Sequence, residues 1–273
     1  MWNGFSKTDL DRAYNNSLAV PNSADLIAAW SFNSQLARNE LGGLIGVPYG
    51  QGDYQSYDLF LAGNNAPLIV FVHGGFWQNR SKNDFSFIAP TLVKAGFSVA
   101  VLGYTLAPFA TIDQIVNDVR SGIRAIHRSA GINYKKHSGM WLIGWSAGAH
   151  LITMALNEPC VIGGTGISGI YDLEPMRLSY INDKLNLTSE ASLQNSPILL
   201  SNHFGKDLDL FVGDAELPEL IRQSQTFAEY RKTSNQFGFF QVLKESNHYT
   251  IFDELINPEG SIFLSLKQRF IAL

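Results

Sequence analysis

The chain has 273 residues, 45% of them hydrophobic and 16% charged, and a net charge of −4. This balance provides for a large core and excludes the basic groove of a nucleic-acid binder and the polybasic face of a membrane-surface protein. The single cysteine, Cys160, excludes an internal disulfide and removes any need for an oxidising compartment.

The N-terminal stretch carries acids early and has no apolar run long enough for a signal peptide. No uncharged apolar run reaches the ~18 residues of a membrane span. The expectation is a soluble, cytoplasmic protein with a small-molecule partner, no nucleic acid and no membrane; a homodimer is compatible with the sequence. Residues 1–40 read as amphipathic helix with asparagine-rich breaks in "AYNNSLAVPNSAD". Beyond them, "DLFLA", "PLIVFVHGG" and "FSVAVLGY" read as strands, with a helix over "FSFIAPTLVKAG". In "IDQIVNDVRSGIRAIHRSAG", residues Ile112, Ile115, Val116, Val119, Ile123 and Ile126 form one helical stripe. "MWLIGW" reads as a fully apolar strand, "GAHLITMAL" as a helix, and "CVIGGTGISGI" and "LDLFVGD" as strands. "ELIRQSQTFAEYRKTS" is helical, "GFFQVLKES" a strand, and the tail a helix. Apolar strands alternating with helices indicate an α/β protein, its mainly parallel sheet covered on both faces. The chain reads as one domain over 1–273, with residues 172–196 as a cap-like helical excursion.

At the junction of "MWLIGW" and "GAHLITMAL" stands Gly144-Trp145-Ser146-Ala147-Gly148. A strand that turns directly into a helix has little room at its corner, so the neighbours two positions away must be small. This is the G-x-S-x-G nucleophile elbow in its required context. It exposes the serine hydroxyl at the carboxyl end of the sheet and sets the Ala147 N–H beside any oxyanion that forms.

A serine needs a base, and the base needs an orienting carboxylate. In the chain order serine, acid, histidine, Asp214 follows the strand "LDLFVG" and His248 follows the next strand. His127 and His137 suit surface or capping roles, His150 a structural one, and His203 precedes the acid. Asp207 and Asp209 sit at the wrong end of their strand. Glu216, two residues past Asp214, is the serious competitor, because loop geometry is not readable from sequence. After the strand "PLIVFV", "HGGFW" provides a loop whose backbone approaches a bound carbonyl closely. Oxyanion donors are expected from Gly75 with Gly74 or Phe76, together with Ala147, with His73 shaping the loop. Aromatic residues at the carboxyl ends of strands (Trp77, Tyr104, Trp145, Tyr171 and Tyr249) are candidates for lining the substrate pocket. "GTGISG" matches a dinucleotide fingerprint literally, yet its β-favouring context reads as a strand. "YKKH" reads as a solvated turn. No metal or cofactor is expected.

Taken together, "HGGFW", "GWSAGAHL", "SGIYDLEPM" with "INDKLNLTSEASLQNSP", "GDAELPELIRQSQTFAEY" and "YNNSLAVPN" resemble the kynurenine formamidase group of the α/β-hydrolase superfamily and its esterase relatives. The resemblance runs over most of the chain. It implies the α/β-hydrolase fold, with about eight strands and a small helical cap, and a metal-free triad of Ser146, Asp214 and His248. Trp145 stands where the group's pattern usually has histidine, a departure that bears on substrate rather than on reaction type. The expected activity is cleavage of an N-formyl aryl amide through an acyl-enzyme. The alternatives are a short-chain carboxylesterase and a non-catalytic small-molecule binder on the same fold.

Overall fold

Strands apolar on both faces need helices on both faces, and the chain provides them. The computed structural model describes residues 2–129, 139–200 and 205–271; His137, His203 and the "YKKH" turn lie outside them. Three helices, α1 (Lys7–Ala13), α2 (Asn16–Ala19) and α3 (Ser23–Leu41), open the chain, and their breaks fall in the asparagine-rich segment. Next come β1 (Leu44–Pro48), β2 (Ser56–Phe60), β3 (Leu68–Val72), α4 (Ala89–Lys94), β4 (Ser98–Leu102), α5 (Ile112–Ser129), β5 (Met140–Trp145), α6 (Ala147–Met154) and β6 (Val161–Ile167). The excursion contains α7 (Glu174–Arg177), α8 (Asn182–Leu185) and α9 (Ser189–Gln194). The remainder is β7 (Asp207–Gly213), α10 (Pro218–Thr233), β8 (Phe240–Leu243), α11 (Asp253–Ile256) and α12 (Ser261–Ile271).

The eight strands form one sheet in the order β1-β2-β4-β3-β5-β6-β7-β8. Strand β2 runs antiparallel to both of its neighbours, and the other pairs are parallel. Period-two alternation divides the core. Leu68, Val70, Val72, Ala100 and Leu102 face the side covered by α5, α6 and α10, where the predicted stripe of α5 is buried in full. Ile69, Phe71, Val99 and Val101 face the side covered by α3, α4, α11 and α12.

Two elements differ from the sequence reading. Strand β1 is an exposed edge strand with a register irregularity between Leu44 and Val47, so it has no apolar alternation to reveal it. The segment "FSFIAPTLVKAG" starts as a 3₁₀ turn over Ser86–Ile88 and becomes α-helical at Ala89, with Pro90 in the first turn, where its missing N–H costs nothing. "GTGISG" lies in and just after β6, where Gly164 pairs with Leu142 and Leu208 and Gly166 with Gly144 and Leu210. It therefore does not turn from a strand into a helix. Among the described residues, no helix is long and apolar enough to cross a membrane.

The two acids at the start of β7 are occupied in fastening α12. Arg269 pairs with Asp207 (2.6 Å) and grips the fully buried Asp209 through both Nε (2.9 Å) and Nη2. Replacing Arg269 with leucine would leave the buried Asp209 carboxylate without its cation, with only the long bonds from the Phe239 N–H (3.2 Å) and Ser265 Oγ (3.3 Å). Such a loss is expected to lower unfolding free energy by about 3–5 kcal/mol, measurable by urea denaturation; a change below ~1 kcal/mol would show that the pair does not secure α12.

Candidate active site

Strand β5 ends at Trp145 and α6 starts at Ala147, which leaves Ser146 alone at the corner with φ 56° and ψ −120°. A non-glycine residue in this region is strained. It is held by a hydrogen bond from its own N–H to the Ile167 carbonyl (2.8 Å) at the end of β6. The flanking glycines are steric necessities: a Cβ on Gly148 would run into the Val72 carbonyl of β3, and one on Gly144 into the Gly148 carbonyl.

His248, in the loop after β8, directs Nδ1–H at Glu216 Oε2 (2.7 Å). Glu216 is buried, and its other oxygen accepts from Ser168 Oγ (2.6 Å) and from the Gly213 N–H (2.9 Å). Three donors thus converge on one carboxylate that, among the described residues, pairs with no Lys or Arg, an arrangement that fixes the imidazole's tautomer and orientation. Asp214, expected here from the sequence, is exposed and faces away, accepting a hydrogen bond from the Glu245 N–H (2.7 Å). The exchange of Asp214 for Glu216 has a local cause. The Asp214 N–H bonds the Leu243 carbonyl at the end of β8, while the chain turns back so that the Glu216 N–H meets the Gly213 carbonyl. The first residue after the strand therefore stays at the edge, and the third swings beneath His248.

The loop after β3 closes as a turn, with the Gln78 and Asn79 N–H groups both donating to the Gly75 carbonyl. Phe76 and Trp77 are left-handed, with φ of 50° and 60°, and Gly75 has φ 106°. Among the described residues, the N–H groups of Gly75, Phe76 and Ala147 meet no acceptor, and neither does that of Gly74. The first two residues line a cavity shared with Ser146 and His248. Gly74 lies deeper, its carbonyl accepting His73 Nδ1–H (2.8 Å). His73 shapes the loop from beneath, with its ring stacked on Tyr104 at 4.4 Å.

That cavity has a volume of about 130 Å³. Of the aromatic residues expected to line it, Trp145 and Tyr249 do. Trp77, Tyr104 and Tyr171 do not, because each is buried for another purpose. The Trp77 indole N–H donates to His150 Nδ1 (3.1 Å) and ties the loop to α6. Tyr104 donates its hydroxyl to the His73 carbonyl (2.9 Å). Tyr171 stacks on Phe227 at 4.2 Å. The sequence reading passed over Asn15, Asn16, Ser17, Ile27, Asn79, Arg80 and Tyr180, which also line the cavity. The break "YNNS" signalled only the end of a helix, yet it lies over the serine. Long-range bonds fasten it: Tyr14 Oη donates to Glu219 (3.2 Å), Ser17 Oγ meets Tyr249 Oη (3.2 Å), and Asp11 accepts the Tyr180 N–H (2.7 Å).

Trp145, beside Ser146, supports His248. Its indole N–H donates to the His248 carbonyl (3.0 Å), its ring lies 4.8 Å from the imidazole, and its far side packs edge-on against Trp30 of α3.

The BD-FAE family profile matches residues 58–158. The chain is 31% identical to the kynurenine formamidase of Danio rerio and 30% identical to that of Salmo salar, in each case over 94% of both chains. Among solved structures, a protein from Silicibacter sp. TM1040 proposed to be a thioesterase superposes with a TM-score of 0.86 at 27% identity, covering 95% of this chain and 99% of that one.

Two buried histidines frame the site without belonging to it. Burial lowers the pKa of both His73 and His150 from 6.5 to about 4. His150 is also fixed as a neutral ring, accepting from Trp77 at Nδ1 and donating from Nε2 to the Asn195 carbonyl (2.8 Å). The unfolded chain takes up these protons below pH ~6.5 and the native state only near 4, so stability falls as pH drops through that window and levels off below it. Each ring contributes on the order of 3 kcal/mol. Thermal melts from pH 7 to 4 are expected to show this loss, with a shallower slope in His150→Gln; an unchanged slope would contradict the assignment.

Proposed function

Because the chain belongs to the kynurenine formamidase family and has the α/β-hydrolase fold, we propose that this hydrolase cleaves N-formyl aryl amides, with Ser146, Glu216 and His248 as its triad. The observation that carries the reading is the small cavity onto which Ser146 and His248 both open, with Glu216 buried behind the imidazole. In this mechanism His248 Nε2 takes the Ser146 proton as Oγ attacks the formyl carbon. Glu216 keeps Nδ1–H pointed away from the reaction and stabilises the imidazolium. The carbonyl oxygen becomes an oxyanion facing the N–H groups of Gly75, Phe76 and Ala147, whose donors are oriented before the charge appears. His248 then protonates the departing aryl amine. Water, deprotonated by the same imidazole, attacks the formyl-serine, and formate leaves as Ser146 regains its proton.

Two features favour a formyl amide. The cavity is well below the ~300–1,000 Å³ of ordinary ligand pockets, which suits the smallest acyl group. Asn16 lines it, and its buried Oδ1 has no hydrogen-bond partner among the described residues. An amide substrate brings an N–H donor to such an acceptor, and an ester brings none. A short-chain ester or thioester is the second reading, favoured by the likeness to the proposed thioesterase and by Trp145 at the elbow.

The deciding experiment compares N-formylkynurenine with p-nitrophenyl acetate by absorbance. Wild type is expected to be far more efficient on the formamide, and Ser146→Ala to lose ~10³-fold or more on both. An enzyme that turns over only the ester would move the assignment to the second reading, and an active Ser146→Ala would end the mechanism. A companion pair tests the acid. Glu216→Gln is expected to lose roughly 10²–10⁴-fold in kcat, whereas Asp214→Asn stays near wild type; the opposite order would restore Asp214.

A further inference from the structure

The cavity wall carries one permanent cation. Arg80 lines it together with Asn79, Gly75 and Phe76, and no carboxylate is among its lining residues. Arg80 makes no ion pair and donates no hydrogen bond within the described residues, although most other guanidinium groups are engaged: Arg124 with Glu158, Arg177 with Glu174, Arg222 with Glu219 and Arg269 with two aspartates. Its stem lies against the oxyanion loop, with Cγ 3.0 Å from where a Cβ on Gly75 would stand. Its backbone is left-handed at φ 74°, the third non-glycine residue of this short loop in that region after Phe76 and Trp77. Such conformations are disfavoured for a long side chain, and they persist where surrounding structure imposes them, often at ligand-binding sites. Here Arg80 directly follows the turn onto the Gly75 carbonyl, exposed to solvent and on the wall of the cavity that Ser146 and His248 share.

We propose that Arg80 is a specificity-determining residue that holds a carboxylate on the amine portion of the substrate. This inference rests on the formamidase reading. A formyl acyl group is too small to carry a charge, so an anionic group must belong to the leaving aryl amine. A planar guanidinium with all its donors free matches a carboxylate in a two-point, charge-assisted pair. The substrate class is therefore an N-formyl aryl amine bearing a carboxylate within reach of the cavity mouth.

The test uses N-formylkynurenine and its α-carboxamide, which differ only in the anion, with release of the aryl amine followed by absorbance. For wild type, the ratio of kcat/KM for carboxylate over carboxamide is expected to be about ten- to a hundredfold. It should collapse toward one in Arg80→Gln and be intermediate in Arg80→Lys, which retains the charge but not the fork. The wild-type preference should also weaken as sodium chloride is raised, and the Arg80→Gln ratio should not respond. A ratio unchanged by Arg80→Gln, whether both rates fall or neither does, overturns the proposal, because a loop-shaping role moves both substrates together. If wild type opens neither formamide, the formamidase reading falls separately. The anion claim is then read from competitive inhibition of p-nitrophenyl acetate hydrolysis by kynurenine and its carboxamide. The same ratio of inhibition constants, lost in Arg80→Gln, supports the claim, and equal constants in wild type overturn it.

Discussion

The site depends on one steric constraint, the contact of the α6 N-terminus with β3 and β5. Gly148 lies so near the Val72 carbonyl that any side chain there would displace the helix. That contact brings α6 down onto the sheet and forces Ser146 into its left-handed corner. It also aligns the first amide of α6 with the loop that leaves β3. The loop is fixed independently by the turn onto the Gly75 carbonyl and by the bond from Trp77 to His150 of α6. Helix, Ser146 and loop amides are therefore positioned by contacts already present in the fold. In energetic terms the strain at Ser146, Phe76 and Trp77 is carried by the core, while the donors that meet developing charge need no reorganisation.

Much of this was legible in the sequence because it follows from periodicity and sterics. Seven of the eight strands, the α5 stripe and the elbow all depend on local pattern, and the structure places them where the pattern indicates. Strand β1 was not legible because an exposed edge strand carries no alternation. The acid partner of His248 was legible only as a choice between two residues. Which of Asp214 and Glu216 reaches the imidazole depends on how β7 and β8 end relative to one another, and the Asp214 N–H bond to the Leu243 carbonyl settles that pairing. No window of sequence contains this information, because the two strands are joined through a 16-residue helix.

The aromatic residues illustrate a different limit. Position at the carboxyl end of a strand identified Trp77, Tyr104 and Tyr171 as pocket candidates, but each uses its polar atom or ring to brace the scaffold. Large rings are buried for their area as often as for their chemistry. The residues that do line the cavity alongside Trp145 and Tyr249 are mostly polar and come from the N-terminal segment and the loop after β3. They are unremarkable by composition and become visible only when the chain folds across itself.

The strap that lies over the serine also has a consequence for the order of assembly. Asp11, Tyr14 and Ser17 leave the ribosome well before their partners, Tyr180, Glu219 and Tyr249, which lie 169, 205 and 232 positions later. The strap has no native surface to dock on until those partners have been synthesised. The sheet and its elbow can form while the strap waits, and the reaction chamber is enclosed only at the end. A product truncated before Tyr249 would therefore carry Ser146 in an unroofed site, so the enclosed cavity requires the chain through Tyr249.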